Sequence, residues 1–299
     1  MAFSGCGIAI LPCLSYWFGT SLERRYMARQ HIIRVDLICV VFLGGCIGTA
    51  LRYACSVIPD CGAFHIGTFA ANMAACFVYA ALSAWLGGTR RTVGRAKEYV
   101  NRGCGMGMCG GLSTMSTLAL EEFTMLHDGK AMDCAAYCCT TSSWAVCWHT
   151  LARMSGCGLP VLSITMVIAM PWARRRTDGI MRSSPYRCAC VVVSAPPQGM
   201  FVIPLSKLLG IRHFLCRPFV INSIAGFLAG VIAGLYSRRF LSDPAHVMLA
   251  TGFLGGFSTF STMMNESVTL LRGGRITVFV GYVLTSVVVP VMAAALGLL

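Results

Sequence analysis

The chain carries one polar segment twice, inside stretches that are otherwise apolar. Gly-Gly-Leu-Ser-Thr-Met-Ser-Thr at Gly110–Thr117 returns 145 positions later as Gly-Gly-Phe-Ser-Thr-Phe-Ser-Thr at Gly255–Thr262. An asparagine further upstream, Asn72, returns as Asn222 at an offset of 150. The chain is therefore a tandem duplication. We expect function to reside in the polar residues that the repeat places inside apolar segments.

Composition places this duplicated chain in a membrane, as an all-α integral membrane protein. Hydrophobic residues make up 56% of the sequence and charged residues only 12%, a balance typical of integral membrane proteins. In the first half, hydropathy predicts spans at Val35–Ser56, His65–Leu86, Gly103–Leu120 and Ala131–Ala152. In the second half, it predicts spans at Cys188–Leu205, Pro218–Tyr236, His246–Leu271 and Ile276–Leu298.

The repeats divide the chain into four parts. Residues 1–34 form an N-terminal extension, 35–153 the first four-span repeat, 154–187 a linker, and 188–299 the second four-span repeat. The linker contains an apolar stretch, Cys157–Ala173, that is short for a span and carries two prolines. It is either a ninth span or a re-entrant segment. The extension has no basic residue before its apolar core, which disfavours a signal peptide and leaves an extra span or an interfacial segment.

Basic residues in the loops indicate how the repeats are oriented. In the first half, ten lysines and arginines lie on one predicted face, against Lys130 alone on the other. In the second half the bias falls on the opposite pair of loops, with five basic residues against Arg238 and Arg239. The positive-inside rule then inverts the second repeat, which requires the linker to cross the membrane as a ninth helix. The linker's own Arg174–Arg176 would lie outside and counts against this arrangement, which we nevertheless favour.

Several functional classes have no support in the sequence. The net charge of +13 comes from loops, and no basic patch interleaved with aromatic residues indicates a nucleic-acid partner. Most of the seventeen cysteines fall in apolar runs, where free cysteine behaves as a small buried hydrophobe. The histidines lack metal-ligand spacing, and no nucleophile lies at a catalytic spacing from a base, so we do not expect an enzyme.

The repeated segment suits either a helix–helix packing interface or a path for a small anion. Paired glycines weaken a helix and let another backbone approach closely. The amides of Asn72 and Asn222 are costly in lipid unless they face protein or a wet path. Further hydroxyls, aromatic rings and one methionine accompany them at Phe260, Ser261, Thr262, Met263, Tyr137, Thr141, Tyr282 and Ser286. Such donors and ring edges attract anions, whereas a cation path ordinarily shows carboxylates or converging carbonyls.

These residues resemble a known family. Gly44–Tyr53, Gly67–Asn72 and Gly107–Thr117 are similar to successive signatures of the fluoride channel family (Fluc, or CrcB-type), and the second half repeats the last signature at Gly252–Glu266. The resemblance covers residues 35–299 apart from the linker. The chain resembles the fused form, typical of eukaryotic fluoride exporters, in which one chain contains both domains. It implies passive fluoride efflux through a single-chain pseudo-dimer of two inverted four-helix repeats with broken third helices, embedded in lipid, with the plasma membrane as the expected location.

The resemblance also assigns roles to individual residues. It implies an anion pathway at Asn72, Asn222, Met115, Leu118, Phe260, Met263, Ser116, Thr117, Ser261, Thr262, Tyr137 and Tyr282, which we extend to Ser286. It implies a structural sodium ion held by backbone carbonyls of Gly110, Ser113, Gly255 and Ser258. Arg52 belongs to the first-span signature as a structural residue, and Val202 occupies its register in the second half. Only Phe260 keeps the family's phenylalanine among four positions, so we expect its pathway to be the better preserved.

Two other functions stay open at this point. A proton-coupled exporter of small cationic compounds needs a buried carboxylate, whereas the carboxylates near the spans lie at predicted span ends, at Asp36, Asp133, Glu121 and Glu266. A non-conducting scaffold, derived from a channel whose pore has decayed, gains support from the three lost phenylalanines. Dependence of transport on a proton gradient distinguishes the exporter from a channel, and any ion flux excludes the scaffold.

Overall fold

The computed structural model describes residues 35–88, 94–154 and 215–299, and the regular elements in these ranges are helices. The first half contains α1 (Val35–Cys55), α2 (Ile66–Gly88), α3 (Arg95–Val100), the π-helix π1 (Asn101–Cys109), α4 (Gly110–Leu112), α5 (Ser116–His127) and α6 (Ala131–Met154). The second half contains α7 (Cys216–Ser237), α8 (Asp243–His246), the π-helix π2 (Val247–Leu254), α9 (Gly255–Phe257), α10 (Phe260–Arg272) and α11 (Ile276–Leu298).

The long helices have the length and surface of membrane spans. Helices α1, α2, α6, α7 and α11 contain 21 to 24 residues, enough to cross a hydrocarbon core of about 30 Å. Within the described ranges, five helical segments are both long and apolar enough to span a membrane, namely those in α1, α2, α7 and α11 and the broken stretch Asp243–Arg272, whereas α6 is less apolar. Along α11 an apolar stripe faces outward at every fourth residue, at Leu284, Val288, Met292 and Leu296. A stripe of this kind is suited to lipid rather than to water.

The third helix of each half is interrupted at its repeated serine. The chain is helical from α3 through π1 to α4, turns extended at Ser113, where φ is −82° and ψ is 149°, and resumes helical structure at Ser116. The second half repeats this course, with an extended Ser258 at φ −83° and ψ 160° and a new helix beginning at Phe260. Both breaks follow a π-helical segment, a rare geometry that often marks functional sites.

The two halves pack on each other reciprocally around these breaks. Helix α5 of the first half packs against α7 and α11 of the second, and α10 of the second packs against α2 and α6 of the first. The largest buried cluster contains Met115 and Leu118 from one half together with Phe260 and Met263 from the other. The core of the molecule is therefore shared between the halves, and neither repeat encloses it alone.

Glycines set the closest helix–helix contacts within each half. A Cβ built on Gly48 of α1 would overlap the carbonyl oxygen of Met108 in π1. A Cβ on Gly230 of α7 would overlap the carbonyl oxygen of Ala294 in α11 in the same way. Since these backbones touch without side chains between them, the helix pairs gain van der Waals contact, which is the main attraction between helices in lipid.

The helices coincide with seven of the eight predicted spans, with two wrong boundaries, both in the third span, whose helix already begins at Arg95 rather than Gly103. The eighth span, Cys188–Leu205, and the linker's apolar stretch lie outside the described residues. The predicted end of the third span at Leu120 is wrong, because the broken helix continues to His127. The acidic pair Glu121 and Glu122 lowers the hydropathy there, although these residues lie mid-helix and Glu122 is buried.

Candidate functional site at the crossing of two broken helices

The two breaks meet through their serine hydroxyls. The hydroxyl of Ser258 lies 3.0 Å from that of Ser116 and accepts hydrogen bonds from the Met115 and Ser116 amides at 3.2 and 3.1 Å. Reciprocally, the hydroxyl of Ser113 lies 3.0 Å from that of Ser261 and accepts from the Ser261 amide at 3.2 Å. All four serines are buried. Each break therefore caps the helix that begins in the other half.

Each break is also held by the predicted pathway asparagine. Asn72 Nδ2 donates to the Thr114 carbonyl oxygen at 3.1 Å, and the Thr114 amide donates to Asn72 Oδ1 at 2.8 Å. Asn222 makes the same pair of bonds to Thr259, both at 2.9 Å. Both asparagines are fully buried. Their amides thus replace the ladder partners that the extended backbone loses, and the second N–H of each Nδ2 remains for another acceptor.

The breaks redirect backbone amides and so release carbonyl oxygens. In the first half the amides of Thr114, Met115 and Ser116 donate to side-chain oxygens, and the Thr117 amide donates to the Thr114 hydroxyl at 3.3 Å. In an unbroken helix, each of these amides would donate to the carbonyl oxygen four residues earlier. Those carbonyls belong to Gly110, Gly111, Leu112 and Ser113, and the same argument applies to Gly255 and Ser258. The predicted sodium ligands are thus carbonyls at the negative ends of two helices, a donor set that fits a hard cation.

Arg52 reaches from the first half to the second. It is buried at the end of α1, its Nη2 donates to the Thr251 carbonyl oxygen, and a Cβ on Gly255 would overlap its guanidinium group. Its Nε and Nη1 have no hydrogen-bond partner within the described residues. Arg52 therefore brings a positive charge to the start of α9, against Gly255, one of the predicted sodium ligands.

The four positions of the family's phenylalanines form one apolar cluster. Met115, Leu118, Phe260 and Met263 are each no more than 1% exposed and belong to the same core as Tyr137 and Tyr282. The structure therefore brings these predicted residues together. Thr117 and Thr262 lie half-buried at the cluster's edge, where each hydroxyl accepts from the preceding threonine hydroxyl at 3.1 Å.

Tyrosine and glutamate pair in both halves. Tyr137 donates to Glu121 Oε2 at 3.0 Å, and Tyr282 donates to Glu266 Oε2 at 2.7 Å. In the first half Thr68 adds a hydrogen bond of 2.6 Å to Glu121 Oε1, whereas Pro218 occupies the matching position in the second half. These glutamates were not among the predicted site residues, although their recurrence at the repeat offset was a usable signal.

The expectation that carboxylates lie only at span ends is wrong for this group. Glu266 is 2% exposed and Glu122 is 1% exposed, and both stand within the helices that follow the breaks. Hydropathy ended the third predicted span at Leu120 and so left Glu122 outside it, whereas Glu266 already lay inside the predicted span His246–Leu271 and only its burial was missed. The argument against proton-coupled transport therefore loses its premise, and the choice between a channel and an exporter needs other evidence.

Two buried hydroxyls follow the tyrosines by one helical turn. Thr141 Oγ1 and Ser286 Oγ are fully buried and have no hydrogen-bond partner within the described residues. An unpaired buried hydroxyl costs about 1–3 kcal/mol, a cost that a bound ligand or water removes. Their equivalent places on α6 and α11 make them donors available to an anion in each half.

Broken helices that cross in lipid and carry inward-facing donors define a class of protein, the helical membrane transport proteins. Residues 39–154 and 191–298 both match the family model described as CrcB-like protein, Camphor Resistance (CrcB). The chain belongs to this family and carries its domain twice. It is an integral membrane protein, and no solved structure matches the chain.

Each of the curated relatives is matched by only a part of this chain. Fluoride-specific ion channel FluC 2 of Bifidobacterium longum is 58% identical over 109 residues, which is 36% of this chain and 61% of the relative. Fluoride-specific ion channel FluC 3 of the same organism is 46% identical over 112 residues, covering 38% and 92%. The FluC of Pyrococcus horikoshii is 40% identical over 87 residues, covering 29% and 71%. The match thus spans about three fifths of the first relative and nearly all of the second.

Proposed function

We propose that this protein is a fluoride-selective channel that lowers cytoplasmic fluoride by passive efflux of the anion. Its family membership and the names of its FluC relatives support this function. The observation that carries it is the reciprocal crossing of two broken helices, which lines the protein interior with hydroxyl and amide donors. Transport rather than catalysis is the activity.

The donors at the crossing suit a small, strongly hydrated anion. Fluoride gives up its water only where other hydrogen-bond donors replace it. The free N–H groups of Asn72 and Asn222 and the unpartnered hydroxyls of Thr141 and Ser286 are such donors. Phe260 adds a ring whose positive edge attracts an anion and whose bulk excludes larger ones. Its pathway is the better preserved, because the other half has Met115 in its place.

The repeats are inverted with respect to each other, forming a single-chain pseudo-dimer joined by a ninth helix in the linker. The serine contacts support inversion, because the two breaks run in antiparallel register. The earlier serine of each break pairs with the later serine of the other, Ser113 with Ser261 and Ser258 with Ser116. A two-fold axis that relates two antiparallel segments is perpendicular to both of them. Because the broken helices run across the membrane, this axis lies in the membrane plane. The loop charges favour the same arrangement.

A structural sodium ion binds where the two breaks meet. The carbonyls of Gly110, Ser113, Gly255 and Ser258 would hold it, since their helical partners are diverted to side chains. When bound, the ion supplies positive charge that satisfies these oxygens and ties the two halves together. The protein's own residues hold the surrounding structure, since the serines hydrogen-bond between the two breaks and the asparagines hydrogen-bond the backbone of each break.

Fluoride efflux from liposomes that contain the purified protein tests the function. We expect fast fluoride release at a fluoride electrode, little chloride release, and no dependence on an imposed proton gradient. A flux that follows the proton gradient would indicate a proton-coupled exporter. This outcome has to be tested because such an exporter needs a buried carboxylate, and Glu122 and Glu266 are buried. Absence of any flux would leave a non-conducting scaffold. Empty liposomes, and liposomes with an unrelated helical membrane protein, serve as controls.

A further inference from the structure

A polar cavity opens in the first half, between the end of α2 and the start of α3. Its volume is about 550 Å³, a size within the range of cavities that hold small ligands. Residues of α2, α3 and the first position of π1 form its wall, together with the glycine that precedes α3: Tyr79, Ser83, Leu86, Gly87, Gly94, Lys97, Glu98 and Asn101. None of the predicted pathway residues lines this cavity, so it is a separate candidate site.

Three polar side chains of the wall can serve a ligand. Tyr79 and Glu98 already have interaction partners. No hydrogen bond or ion pair with another described residue engages the side chains of Ser83, Lys97 or Asn101, which all line the cavity. The ammonium group only donates, whereas the hydroxyl and the amide both donate and accept. This set suits a ligand that combines a negatively charged group with polar hydroxyl or amine groups.

The charges around the cavity favour an anion. Glu98 is the one carboxylate in its wall, and that carboxylate is already engaged. Arg95 is exposed two residues before Lys97. Arg102 follows directly after the cavity wall, and its Nη1 contacts only the weak acceptor Met106 Sδ, at 3.3 Å. Three basic side chains therefore stand in or beside the cavity.

The cavity lies at the depth of lipid headgroups. The apolar segment of α2 that is long enough to span a membrane ends at Gly87, which is itself part of the cavity wall. The loop charges predict that this end of α2 lies on the cytoplasmic face. Anionic lipids are concentrated in the cytoplasmic leaflet, and basic pockets between helices on this side bind their headgroups. A phospholipid is therefore a better match than a soluble phosphate compound.

The internal repeat provides a comparison, because the second half closes the matching place. At the end of α7, the ring of Tyr236 stacks on His246, with ring centroids 4.0 Å apart, and its hydroxyl donates to Asp243 Oδ1 at 3.1 Å. In the register of the repeat, Tyr236 matches Leu86 and His246 matches Asn101. Two side chains that line the cavity in the first half are thus replaced by two rings in direct contact.

The other polar wall residues have also changed between the repeats. Small side chains match them in the second half, where Ala229, Ala233 and Ser242 correspond to Tyr79, Ser83 and Lys97. The ammonium group is therefore specific to the first half, and so is the hydroxyl one turn before the end of α2. The two ends of the molecule differ here although the broken helices between them are alike.

We propose that this cavity binds the headgroup of an anionic phospholipid from the cytoplasmic leaflet. Lys97 binds the phosphate, and Ser83 and Asn101 bind the polar alcohol that the phosphate carries. A lipid held in this way connects the end of α2 to the helix that leads into π1 and the first break. The site is separate from the ion path, so it does not rest on the proposed fluoride transport.

Native mass spectrometry of the purified protein with added phospholipid tests the site. The unaltered protein should retain phosphatidylglycerol in preference to phosphatidylcholine with the same acyl chains. Lys97→Gln should weaken phosphatidylglycerol binding on the order of tenfold, because a charge-assisted hydrogen bond is lost. Lys130→Gln, a matched change on the opposite predicted face, should stay within about twofold of the unaltered protein.

A second variant transfers the closed arrangement of the second half to the first. Leu86→Tyr combined with Asn101→His gives the cavity the two rings that stack at the matching place, and should weaken phosphatidylglycerol binding as Lys97→Gln does. Phosphatidylglycerol should also raise the unfolding midpoint of the unaltered protein and of Lys130→Gln more than that of either cavity variant. Size-exclusion profiles and helical circular dichroism check that each variant folds.

Three results would overturn the proposal. One is equal phosphatidylglycerol binding by the unaltered protein, Lys97→Gln and the double variant. Another is equal retention of phosphatidylcholine and phosphatidylglycerol by the unaltered protein, which would remove the preference for an anionic lipid. The third is displacement of phosphatidylglycerol by inorganic phosphate, with the same rise in unfolding midpoint, which would assign the cavity to a soluble anion.

Discussion

Two fully buried asparagines show how a single side chain can make a broken membrane helix tolerable. Lipid provides no water for an orphaned peptide group, so irregular backbone survives only where protein satisfies it. Asn72 and Asn222 each donate to the carbonyl and accept from the amide of a single residue, Thr114 and Thr259 respectively, and so satisfy two successive peptide units. The sequence predicted these asparagines to be pathway residues but did not indicate their backbone partners. In the structure they are first of all supports of the break.

Replacing Asn72 with alanine should therefore destabilise the protein as well as reduce flux. The Thr114 amide and carbonyl would both be left buried without their partner, at a cost of about 1–3 kcal/mol for each group. We expect a lower unfolding midpoint in detergent, and a smaller drop for Asn72→Asp, which keeps an acceptor for the Thr114 amide. An unchanged midpoint in Asn72→Ala, together with lost flux, would mean that Asn72 serves the ion alone.

Helices in this protein associate closely through glycine. In lipid, the apolar side chains of two helices gain little by meeting, so close backbone approach supplies the attraction. Gly226, Gly230 and Gly297 each place a carbonyl of the facing helix where a Cβ would stand. The π-helical segments before the breaks lie in the same glycine-lined contacts, at least in the first half, where Gly103 and Gly107 of π1 face α1.

A pair of glycine-to-alanine changes separates packing from helix propensity. Gly230→Ala puts a methyl group into the Ala294 carbonyl oxygen, and we expect a loss of about 1–3 kcal/mol in unfolding free energy. Gly281→Ala, on the exposed side of the partner helix α11, meets no atom within 4 Å. It should stabilise the protein slightly, since alanine is the better helix former by about 1 kcal/mol. Equal unfolding midpoints for the two variants would contradict a packing role for Gly230.

The sequence predicted elements better than it predicted contacts, for a physical reason. Apolar runs of about 20 residues report on the membrane's thickness, so helix positions follow from composition alone. The family resemblance implied broken third helices, and the repeated glycines and serines mark where the breaks lie. A π-helix changes hydrogen-bond register without changing hydropathy, and nothing in the pattern indicated π1. His149 has no motif around it, so only the fold brings it to Asn265.

At the scale of the whole molecule, the two repeats keep a common framework and have diverged at individual residues. Each half still supplies an asparagine, a serine break, a tyrosine and a glutamate in equivalent places. The features that differ are those with charge or bulk, such as Arg52, Phe260 and His149, each present on one side within the described residues. A fused chain can diverge in this way because its two halves are separate sequence positions, whereas identical subunits must change both equivalent sites together.

The proposed inversion of the repeats predicts opposite membrane faces for two equivalent turns. Gly129 and Gly274 stand 145 positions apart, each with positive φ (75° and 71°), in the turns that follow α5 and α10. Such turns tolerate insertions, because few contacts depend on them. An epitope inserted after Gly129 should be stained in intact cells, since only Lys130 lies near it. One inserted after Gly274, between Arg272 and Arg275, should be stained only after permeabilisation.

The same epitope at the C-terminus is the control for this experiment. Helix α11 carries the chain across from the Gly274 turn to Leu299, so a C-terminal epitope should be stained together with the one at Gly129. Each tagged protein must also retain fluoride efflux in liposomes, which excludes misfolded insertions. Staining of the Gly129 and Gly274 epitopes on one face would mean that the repeats are parallel. The antiparallel register of Ser113 with Ser261 and of Ser258 with Ser116 makes us expect the opposite result.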